Sequence, residues 1–362
     1  MTLQKVAEKA GVSAATVCRV INGMPGITPE TAGNVHRAMK ALQYVPSPRR
    51  RGAQRQAAAS VAGLKVGFVV IDLNLNKDSG STTQDVPMYS HLLRGVSAAA
   101  NNHKLNLQVS FISNIDDAPR LLAAGGYDGL LLHGGCPPAH KAEALHTIPT
   151  VWLMGNRRRP AWGDQVMPDN VGIGHVAAQY LIDNGHRRVM QFGILSGWSL
   201  GLRALAFQQA AEDAGATVHS VLQRVPDVDQ PYFDVVGQGI QQLVQDYAKL
   251  HADERPTGLF VTEDWLIRNV YSAFHAAGFE IGPGTALDVI GCNNDRAHLL
   301  GVDPQPATVD VRAELIGYHA VEHLLPRLRR TGLPDRVRVM LEPQLILPGG
   351  APSNAVPVAA MA

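Results

Sequence analysis

A regular alternation of apolar and amphipathic segments begins at residue 65 and constrains the fold more than any other feature of the sequence. Short apolar runs read as buried strands, and they are KVGFVVID, LNLQVSF, YDGLLLHG, PTVWLMG, RRVMQFG, TGLFVT and ALDVIG. Helical stretches lie between them, among them SHLLRGVSAAANNH, LRALAFQQAAEDAG and RNVYSAFHAAGF. Strands that alternate with helices build parallel sheets covered by helices. The sequence therefore predicts an α/β core in which the same scheme occurs twice.

The chain length and the N-terminal region set the broad class of protein. A chain of 362 residues exceeds what one core usually supports, so two or more domains are expected. No apolar run approaches the roughly 20 residues that span a bilayer, and MTLQKVAEKAGVS lacks the apolar centre of a secretion signal. The three cysteines are far apart, without metal-ligand spacing. We expect a cytoplasmic protein.

Positive charge is concentrated at the start of the chain. Residues 1–60 hold nine Lys and Arg against two Glu, a balance of +7, whereas the whole chain carries +1 and the remainder therefore −6. A basic head on an acidic body is typical of a protein that binds a polyanion such as DNA. A solvated basic tail is the alternative.

The head has the pattern of three short helices. Leu3, Val6, Ala7 and Ala10 lie at helical spacing, and Gly11 is placed to end that helix. Ser13 is a suitable N-cap for a second helix with an apolar face of Val17, Val20 and Ile21. A third helix is expected from Thr28 as N-cap and Pro29 at the first position, with the apolar stripe Val35, Ala38, Met39 and Leu42. This arrangement is a helix-turn-helix.

The second helix exposes small residues and one arginine on its polar face. In a helix-turn-helix this helix enters the major groove, where an Ala methyl contacts thymine and an Arg pairs with guanine. Ala14, Ala15, Cys18, Arg19 and Asn22 occupy that face. A small helical bundle with ordinary exposed alanines is the competing interpretation.

The stretch TLQKVAEKAGVSAATVCRVINGMPGITPET resembles the DNA-binding head of the lactose-repressor (LacI/GalR) family. The resemblance implies that Ala14 and Ala15 read the base sequence and that Thr16, Arg19 and Asn22 make the other contacts of this helix. Cys18 stands where the family usually has Ser, and a thiol is a weak donor, which favours the loss of one phosphate contact over the alternative of a redox-sensitive thiol. The DNA-contacting residues expected in the head are Ser13, Ala14, Ala15, Thr16, Cys18, Arg19 and Asn22.

A linker follows the head, and it departs from the family pattern. SPRRRGAQRQAAASVAG has little to bury, so it is unstructured in the absence of DNA. In the family a hinge helix folds here and inserts a leucine into the minor groove, but no leucine precedes Leu64. Two roles remain open for Arg49, Arg50 and Arg51: insertion along a narrow minor groove, or unspecific phosphate contacts.

The resemblance continues through PDNVGIGHVAAQYLIDNGHRRVMQFG, RPTGLFVTEDWLIRNVYSAFHAAG and PATVDVRAELIGYHAVEHLL, to about Gly349. It implies a periplasmic-binding-protein-like core of two α/β subdomains, joined by crossing strands, with a ligand in the cleft between them. The implied domains are 1–46 (head), 47–64 (hinge), 65–349 (core) and 350–362 (tail). Within the core, the first subdomain takes about 65–164 and 298–330, and the second takes 165–297 and 331–349.

The same resemblance implies a set of effector-binding residues in the core. Arg203 stands at the family's effector-binding arginine, and Asn293 stands at its acidic position. Arg and amide groups can form hydrogen bonds with vicinal hydroxyls, and the face of a Trp ring can pack against a sugar ring. Each Trp is equally expected as a buried core or interface residue. Residues 74–86 add a polar loop at the cleft mouth, either a cover for an unusual effector or an inert insertion. The expected set is Tyr89, Trp198, Arg203, Glu263, Asp264, Trp265 and Asn293.

These observations predict a ligand-responsive DNA-binding regulator, a homodimeric repressor of carbohydrate genes that reads a near-palindromic operator and responds to a sugar-like effector. The tail has no leucine heptad for tetramerisation. No G-x-G-x-x-G, G-x-S-x-G or phosphate-binding loop occurs, so no cofactor, metal or catalytic residue is expected. The rivals are a sugar-binding receptor with a basic head, an enzyme that uses the cleft, and an architectural DNA-binding protein without a ligand.

Overall fold

A computed structural model describes most of the chain, which divides into two compact units, Met1–Ser60 and Val61–Ala362. Four of the expected features lie outside the described residues: Asn22, Arg49 to Arg51, the loop 74–86 and the tail from 351. The described residues are 3–21, 27–42, 60–71, 88–137, 139–155, 162–195, 198–224, 232–329 and 335–350.

The first unit contains the three predicted helices, α1 (Leu3–Ala10), α2 (Ala14–Ile21) and α3 (Pro29–Ala41). Both predicted N-caps are confirmed. The hydroxyl oxygen of Ser13 accepts the backbone N–H of Thr16 at 3.1 Å, and that of Thr28 accepts the N–H of Thr31 at 3.3 Å. These caps satisfy backbone donors that the first turn of a helix leaves unpaired. The small core consists of Val6, Ala7, Val17, Val35 and Ala38.

The second unit holds two six-stranded sheets, and all seven strands predicted from apolar runs are present. Sequence reasoning missed five strands, which are short or lie at sheet edges. The strands are β1 (Lys65–Ile71), β2 (Asn106–Ile112), β3 (Gly129–Gly134), β4 (Thr150–Leu153), β5 (Asp164–Pro168), β6 (Arg188–Leu195), β7 (Thr217–Arg224), β8 (Gly258–Val261), β9 (Asp288–Cys292), β10 (Ala307–Asp310), β11 (Arg338–Leu341) and β12 (Gln344–Ile346).

In the described part of this unit, eight α-helices connect or flank the strands. They are α4 (Met88–Asn102), α5 (Ala118–Ala124), α6 (Asn170–Asp183), α7 (Trp198–Asp213), α8 (Tyr232–Lys249), α9 (Ile267–Ala276), α10 (Arg296–Leu299) and α11 (Ala313–Arg329). Among the described residues, no helix combines the length and the apolar character that crossing a membrane requires.

The two sheets confirm the predicted core of two α/β subdomains. The first sheet has the order β11-β5-β4-β3-β1-β2, and its neighbouring strands pair in parallel. The second sheet has the order β12-β10-β9-β8-β6-β7, and among its described strands only β10 and β12 pair antiparallel. Parallel strands point their carboxyl ends to one edge, so each sheet presents one edge of loops where a ligand can bind.

The chain crosses between the subdomains three times, after β5, after β10 and between β11 and β12. Sheet membership corrects the expected boundaries: β5 and β11 belong to the first sheet, and β10 belongs to the second. The expectation failed because it assigned whole late segments to one subdomain. In the structure a strand and the helix that follows it belong to different subdomains, since α11 packs on α4 although β10 pairs with β9.

Close packing of α4 and α11 anchors the end of the second crossing in the first subdomain. A Cβ added at Gly95 would lie 1.8 Å from the backbone oxygen of Glu314, and one at Gly317 would lie 2.2 Å from that of Leu92. The two helix backbones are therefore in contact at residues without side chains. Such contacts leave little freedom for the helices to slide.

Candidate functional site

The polar face of α2 carries the residues that the sequence assigns to DNA. Ser13, Ala14 and Arg19 are exposed, whereas Val17 on the opposite face is completely buried. Thr16 is half-buried, and its hydroxyl lies 2.9 Å from that of Ser13. Ala15 and Cys18 belong to the same helix. The helix thus exposes the small side chains of Ser13 and Ala14 at its start and the cation of Arg19 in its last turn, which suits contact with a DNA groove.

A second polar site lies at the carboxyl-terminal edge of the second sheet and is centred on Arg203. Its side chain is 4% exposed and makes three hydrogen bonds. The Nε–H donates to Oδ1 of Asn170 at 2.8 Å, while Nη1 donates to the backbone oxygen of Thr262 at 3.1 Å and to Oδ1 of Asn293 at 3.2 Å. Helix α7, the start of α6 and the ends of β8 and β9 therefore meet at this guanidinium.

The acceptors around Arg203 are neutral amide and carbonyl oxygens. A guanidinium has five N–H groups, and these three bonds use Nε and one nitrogen of the fork. The N–H groups of Nη2 have no protein acceptor among the described residues. A planar donor held from one side and free on the other can bind an oxygen-rich ligand.

Glu263 and Asp264 were both expected to bind the effector, but the structure gives them different surroundings. Glu263 is half-buried, and burial raises the pKa of its carboxyl, while the charge of Arg203 and a hydrogen bond from the Trp265 indole oppose the rise. Glu263 and Trp265 therefore belong to the neighbourhood of Arg203. The backbone of Glu263 is extended (φ −152°), so successive side chains point to opposite sides.

Asp264 is fully buried, and its hydrogen bonds join the end of β8 to the loop after β9 and to β10. Its carboxylate accepts the Thr308 hydroxyl at 2.9 and 3.0 Å and the backbone N–H of Asp295 at 2.8 Å. Burial raises the pKa of Asp264 to about 7 despite these bonds. Burial likewise raises the pKa of the neighbouring Cys292 thiol to about 12, which leaves that thiol protonated and unreactive.

The remaining expected residues occupy two places. Tyr89 lies on α4 of the first subdomain, where its ring packs edge-on against His133 with centroids 5.1 Å apart. Trp198 begins α7 and is 43% exposed, in contrast to the buried Arg203 one turn and a half later. Arg203, Asn293, Glu263 and Trp265 are thus brought together, while Tyr89 belongs to the opposite subdomain.

Sequence reasoning missed Asn170, Thr262 and Thr308. Asn170 is 1% exposed and follows Asp169, which caps α6 by accepting the N–H groups of Val171 and Gly172. A buried amide directly after a cap was the one available signal, because such a group needs a partner. No group of His, Cys, Asp and Glu in the described ranges is arranged to hold a metal ion.

Both units resemble known protein families. Residues 2–47 match the family described as bacterial regulatory proteins, lacI family. Residues 80–234 match the periplasmic binding proteins and sugar binding domain of the LacI family, and residues 178–347 match a periplasmic binding protein-like domain.

Similar proteins match over almost their full lengths. The transcriptional repressor PurR of Edwardsiella ictaluri is 26% identical and is covered over 95% of each chain. The ribose operon repressor of Escherichia coli K12 is 27% identical over 97% of this chain and 99% of its own.

Solved structures share the fold. The regulator CelR in complex with cellobiose has a TM-score of 0.63 at 23% identity, over 97% of this chain and all of its own. The lac repressor dimer bound to operator has a TM-score of 0.60 at 19% identity, over 95% of this chain and 97% of its own. With the capped α2 helix in one unit and the paired sheets in the other, these matches show that the chain belongs to the lacI family of bacterial regulatory proteins.

Proposed function

We propose that this chain is a ligand-responsive transcriptional repressor whose head reads an operator and whose core binds a sugar-like effector. One observation carries the proposal: a capped helix with exposed Ala14 and Arg19 occurs in the same chain as a buried arginine, at the edge of a sheet, whose Nη2 has no acceptor among the described residues. The named relatives PurR and the ribose operon repressor are repressors, which supports the same function.

In this proposal α2 supplies the contacts that select the operator. Arg19 pairs with a guanine, the alanines contact thymine methyl groups, and Ser13 keeps the first turn ordered. Arg49, Arg50 and Arg51 in the linker add either minor-groove or phosphate contacts. The full proposed DNA-contacting set is Ser13, Ala14, Ala15, Thr16, Cys18, Arg19, Asn22, Arg49, Arg50 and Arg51.

The effector binds at the edge of the second sheet, against Arg203. Nη2 of Arg203 and the amide of Asn293 bond hydroxyls of the effector, while Glu263 accepts from other hydroxyls and Trp265 or Trp198 packs on an apolar ring face. Tyr89 contributes from the first subdomain. Asp264 does not contact the effector in this proposal, because its carboxylate already accepts hydrogen bonds from the Thr308 hydroxyl and the Asp295 N–H.

A homodimer is the form proposed to bind DNA, since two heads read two half-sites of a near-palindrome. Strand β2 lies at the edge of the first sheet, and it exposes Val109 (39%) and Phe111 (47%) on one face. Exposed apolar groups on an edge strand favour self-association. Sedimentation should show a dimer that Phe111→Lys dissociates, whereas Leu205→Lys, at an exposed apolar site on α7, leaves it intact.

The proposed compartment is the cytoplasm, where bacterial DNA lies.

The experiment that tests operator recognition is selection from a random duplex library with the full chain at near-physiological salt. We expect a near-palindromic consensus. Arg19→Ala should weaken binding to it by about 10- to 100-fold and relax the preference at one base pair. The matched control is Arg37→Ala on α3, whose guanidinium bonds Asn34 within its own helix and which should change affinity only a few-fold.

Effector binding is tested separately by thermal unfolding with D-ribose, cellobiose and a wider panel of neutral and acidic sugars. A sugar that binds the native state raises the melting temperature. Binding of DNA without any consensus would favour the rival receptor with a basic head. Conversion of a bound sugar into product would favour an enzyme, and absence of any sugar binding would favour an architectural DNA-binding protein.

A further inference from the structure

We propose that Asn294 is a positioning residue that links the effector site to the crossing between β10 and α11. This inference deepens the proposed function, since it concerns the regulation of the same site. It predicts that a displacement of the loop next to Arg203 changes the hydrogen bond between the Asn294 side chain and Asp310, and thereby the backbone between β10 and α11.

The loop after β9 has an unusual backbone. Asn293 and Asn294 have φ values of 116° and 53°, two consecutive residues other than glycine in the left-handed region. Asn adopts such values more readily than most residues, but the conformation is retained only where surrounding contacts fix it. Here the N–H of Asn293 donates to the Val309 oxygen at 2.9 Å, and that of Asn294 donates to Oγ1 of Thr308 at 3.2 Å.

The two adjacent amide side chains bond in two different directions. Oδ1 of Asn293 accepts Nη1 of Arg203 at 3.2 Å, on the effector side. Nδ2 of Asn294 donates to Oδ2 of Asp310 at 3.1 Å, at the last residue of β10. Asn293, which bonds Arg203 in the effector site, and Asn294, which bonds Asp310 beside the crossing, are therefore adjacent in the chain.

Asp310 in turn controls the start of α11. Its Oδ1 accepts the N–H of Arg312 at 2.6 Å, and Arg312 is a third residue in the left-handed region, with a φ of 60°. The oxygen of Arg312 accepts the N–H of Ile316 in the first turn of α11. Only Val311 and Arg312 separate β10 in the second sheet from α11 on the first subdomain. Any rotation between the subdomains must be absorbed in this segment and the two other crossings.

The loop is held on two sides by Asp264, which is completely buried. Its carboxylate accepts the N–H of Asp295, directly after the two asparagines, and the hydroxyl of Thr308 on β10, whose Oγ1 accepts the N–H of Asn294. The peptide between Asn293 and Asn294 is therefore tied to β10, so that a displacement of Asn293 strains the Asn294 bond to Thr308 and shifts the Asn294 side chain with it. A ligand that pulls on Asn293 thereby alters the bond between Asn294 and Asp310.

The test is hydrogen exchange of the full chain, read by mass spectrometry on peptides that cover 311–317, in a double-mutant cycle. Asn293→Gly removes the amide on the effector side, and Asn294→Gly removes the amide on the crossing side, and glycine tolerates the positive φ at both positions. We expect Asn293→Gly alone to raise exchange at 311–317 by about fivefold, the effect of weakening one hydrogen bond to a carboxylate. In the Asn294→Gly background the same substitution should add nothing.

Three controls make the result interpretable. Lys104→Gly changes another left-handed residue, exposed and outside this network, and it should leave 311–317 unchanged. Peptides from β8 should exchange equally in every variant. Asn294→Asp, which keeps the shape but turns a carboxylate toward Asp310, replaces the glycine variant if that one unfolds.

Equal responses to Asn293→Gly in both backgrounds, or no response in either, would overturn the proposal. The measurement uses neither DNA nor a sugar. A failure of operator recognition or of effector binding therefore leaves it unaffected, and the two results can be told apart.

Discussion

The Nε–H of Arg203 donates to Oδ1 of Asn170 at 2.8 Å, which joins the middle of α7 to the first residue of α6. Asn170 is itself held, because its Nδ2 donates to the Pro168 oxygen at the end of β5. The guanidinium is therefore oriented from the first crossing between the subdomains, and its Nη2, which has no acceptor within the described ranges, is held in place before a ligand binds. Such preorganisation reduces the entropy lost on binding.

Replacement of Arg203 by lysine should abolish the thermal stabilisation given by a bound sugar and lower the free energy of unfolding by about 2–3 kcal/mol. A single ammonium cannot satisfy Asn170, Thr262 and Asn293 at once, so buried acceptors lose their partners. Urea unfolding and melting curves with the sugar panel measure both effects. Arg120→Lys, at a site 75% exposed, is the control and should match the wild type.

Asp264 should make the protein less stable as the pH rises from about 4 to 8. Burial raises its pKa from an ordinary 3.8 to about 7, so across this window the native state keeps a proton that the unfolded state has released. The stabilisation is complete below pH 3.8 and is lost as the pH passes 7.

Urea unfolding at steps across that range, for the wild type and Asp264→Asn, isolates the contribution. The wild type should lose up to about 4 kcal/mol relative to the variant between the ends of the range. Groups with a lowered pKa, such as Asp164 beside Arg327, give a dependence of opposite sign at lower pH that both proteins share. Parallel stability curves for the two proteins would contradict the prediction.

Gly95→Ala should destabilise the core by several kcal/mol, because the new Cβ would lie 1.8 Å from the Glu314 oxygen in the backbone of α11. The matched control is Gly237→Ala in α8, where nothing lies within 4 Å of the added Cβ. That change should stabilise by about 0.5–1 kcal/mol, since alanine loses less backbone entropy in a helix. Chemical denaturation measures both, and equal effects would show that α4 and α11 can separate.

Ser13→Ala and Thr28→Ala each remove one N-cap and should each lower the stability of the head by about 1 kcal/mol. Only Ser13 caps α2, the helix proposed to read bases, so its loss should weaken operator binding more than the loss of Thr28. Circular dichroism of the head's melting and titration of the selected operator provide the two readouts. Operator affinities that fall equally would assign the whole effect to stability.

The local architecture was predictable from the sequence, because strands and helices have fixed periods. Apolar runs predicted seven strands, and Ser13 and Thr28 marked two helix starts that the structure confirms. The buried Val17 and the exposed Arg19 follow from a 3.6-residue repeat that needs no information beyond the helix itself. A helix-turn-helix made of adjacent segments is therefore visible in the order of residues alone.

Only the tertiary structure decided how distant segments meet. Adjacent in sequence, Glu263 and Asp264 have different surroundings, because the extended backbone turns Asp264 into the interior, toward Thr308, 44 residues away. The partnership of Arg203 with Asn170 likewise depends on which strands are neighbours in each sheet. The sheet membership of β10 and β11 is decided in the same way. Periodicity describes how one segment buries its own face, whereas these contacts depend on strand order, which no local pattern encodes.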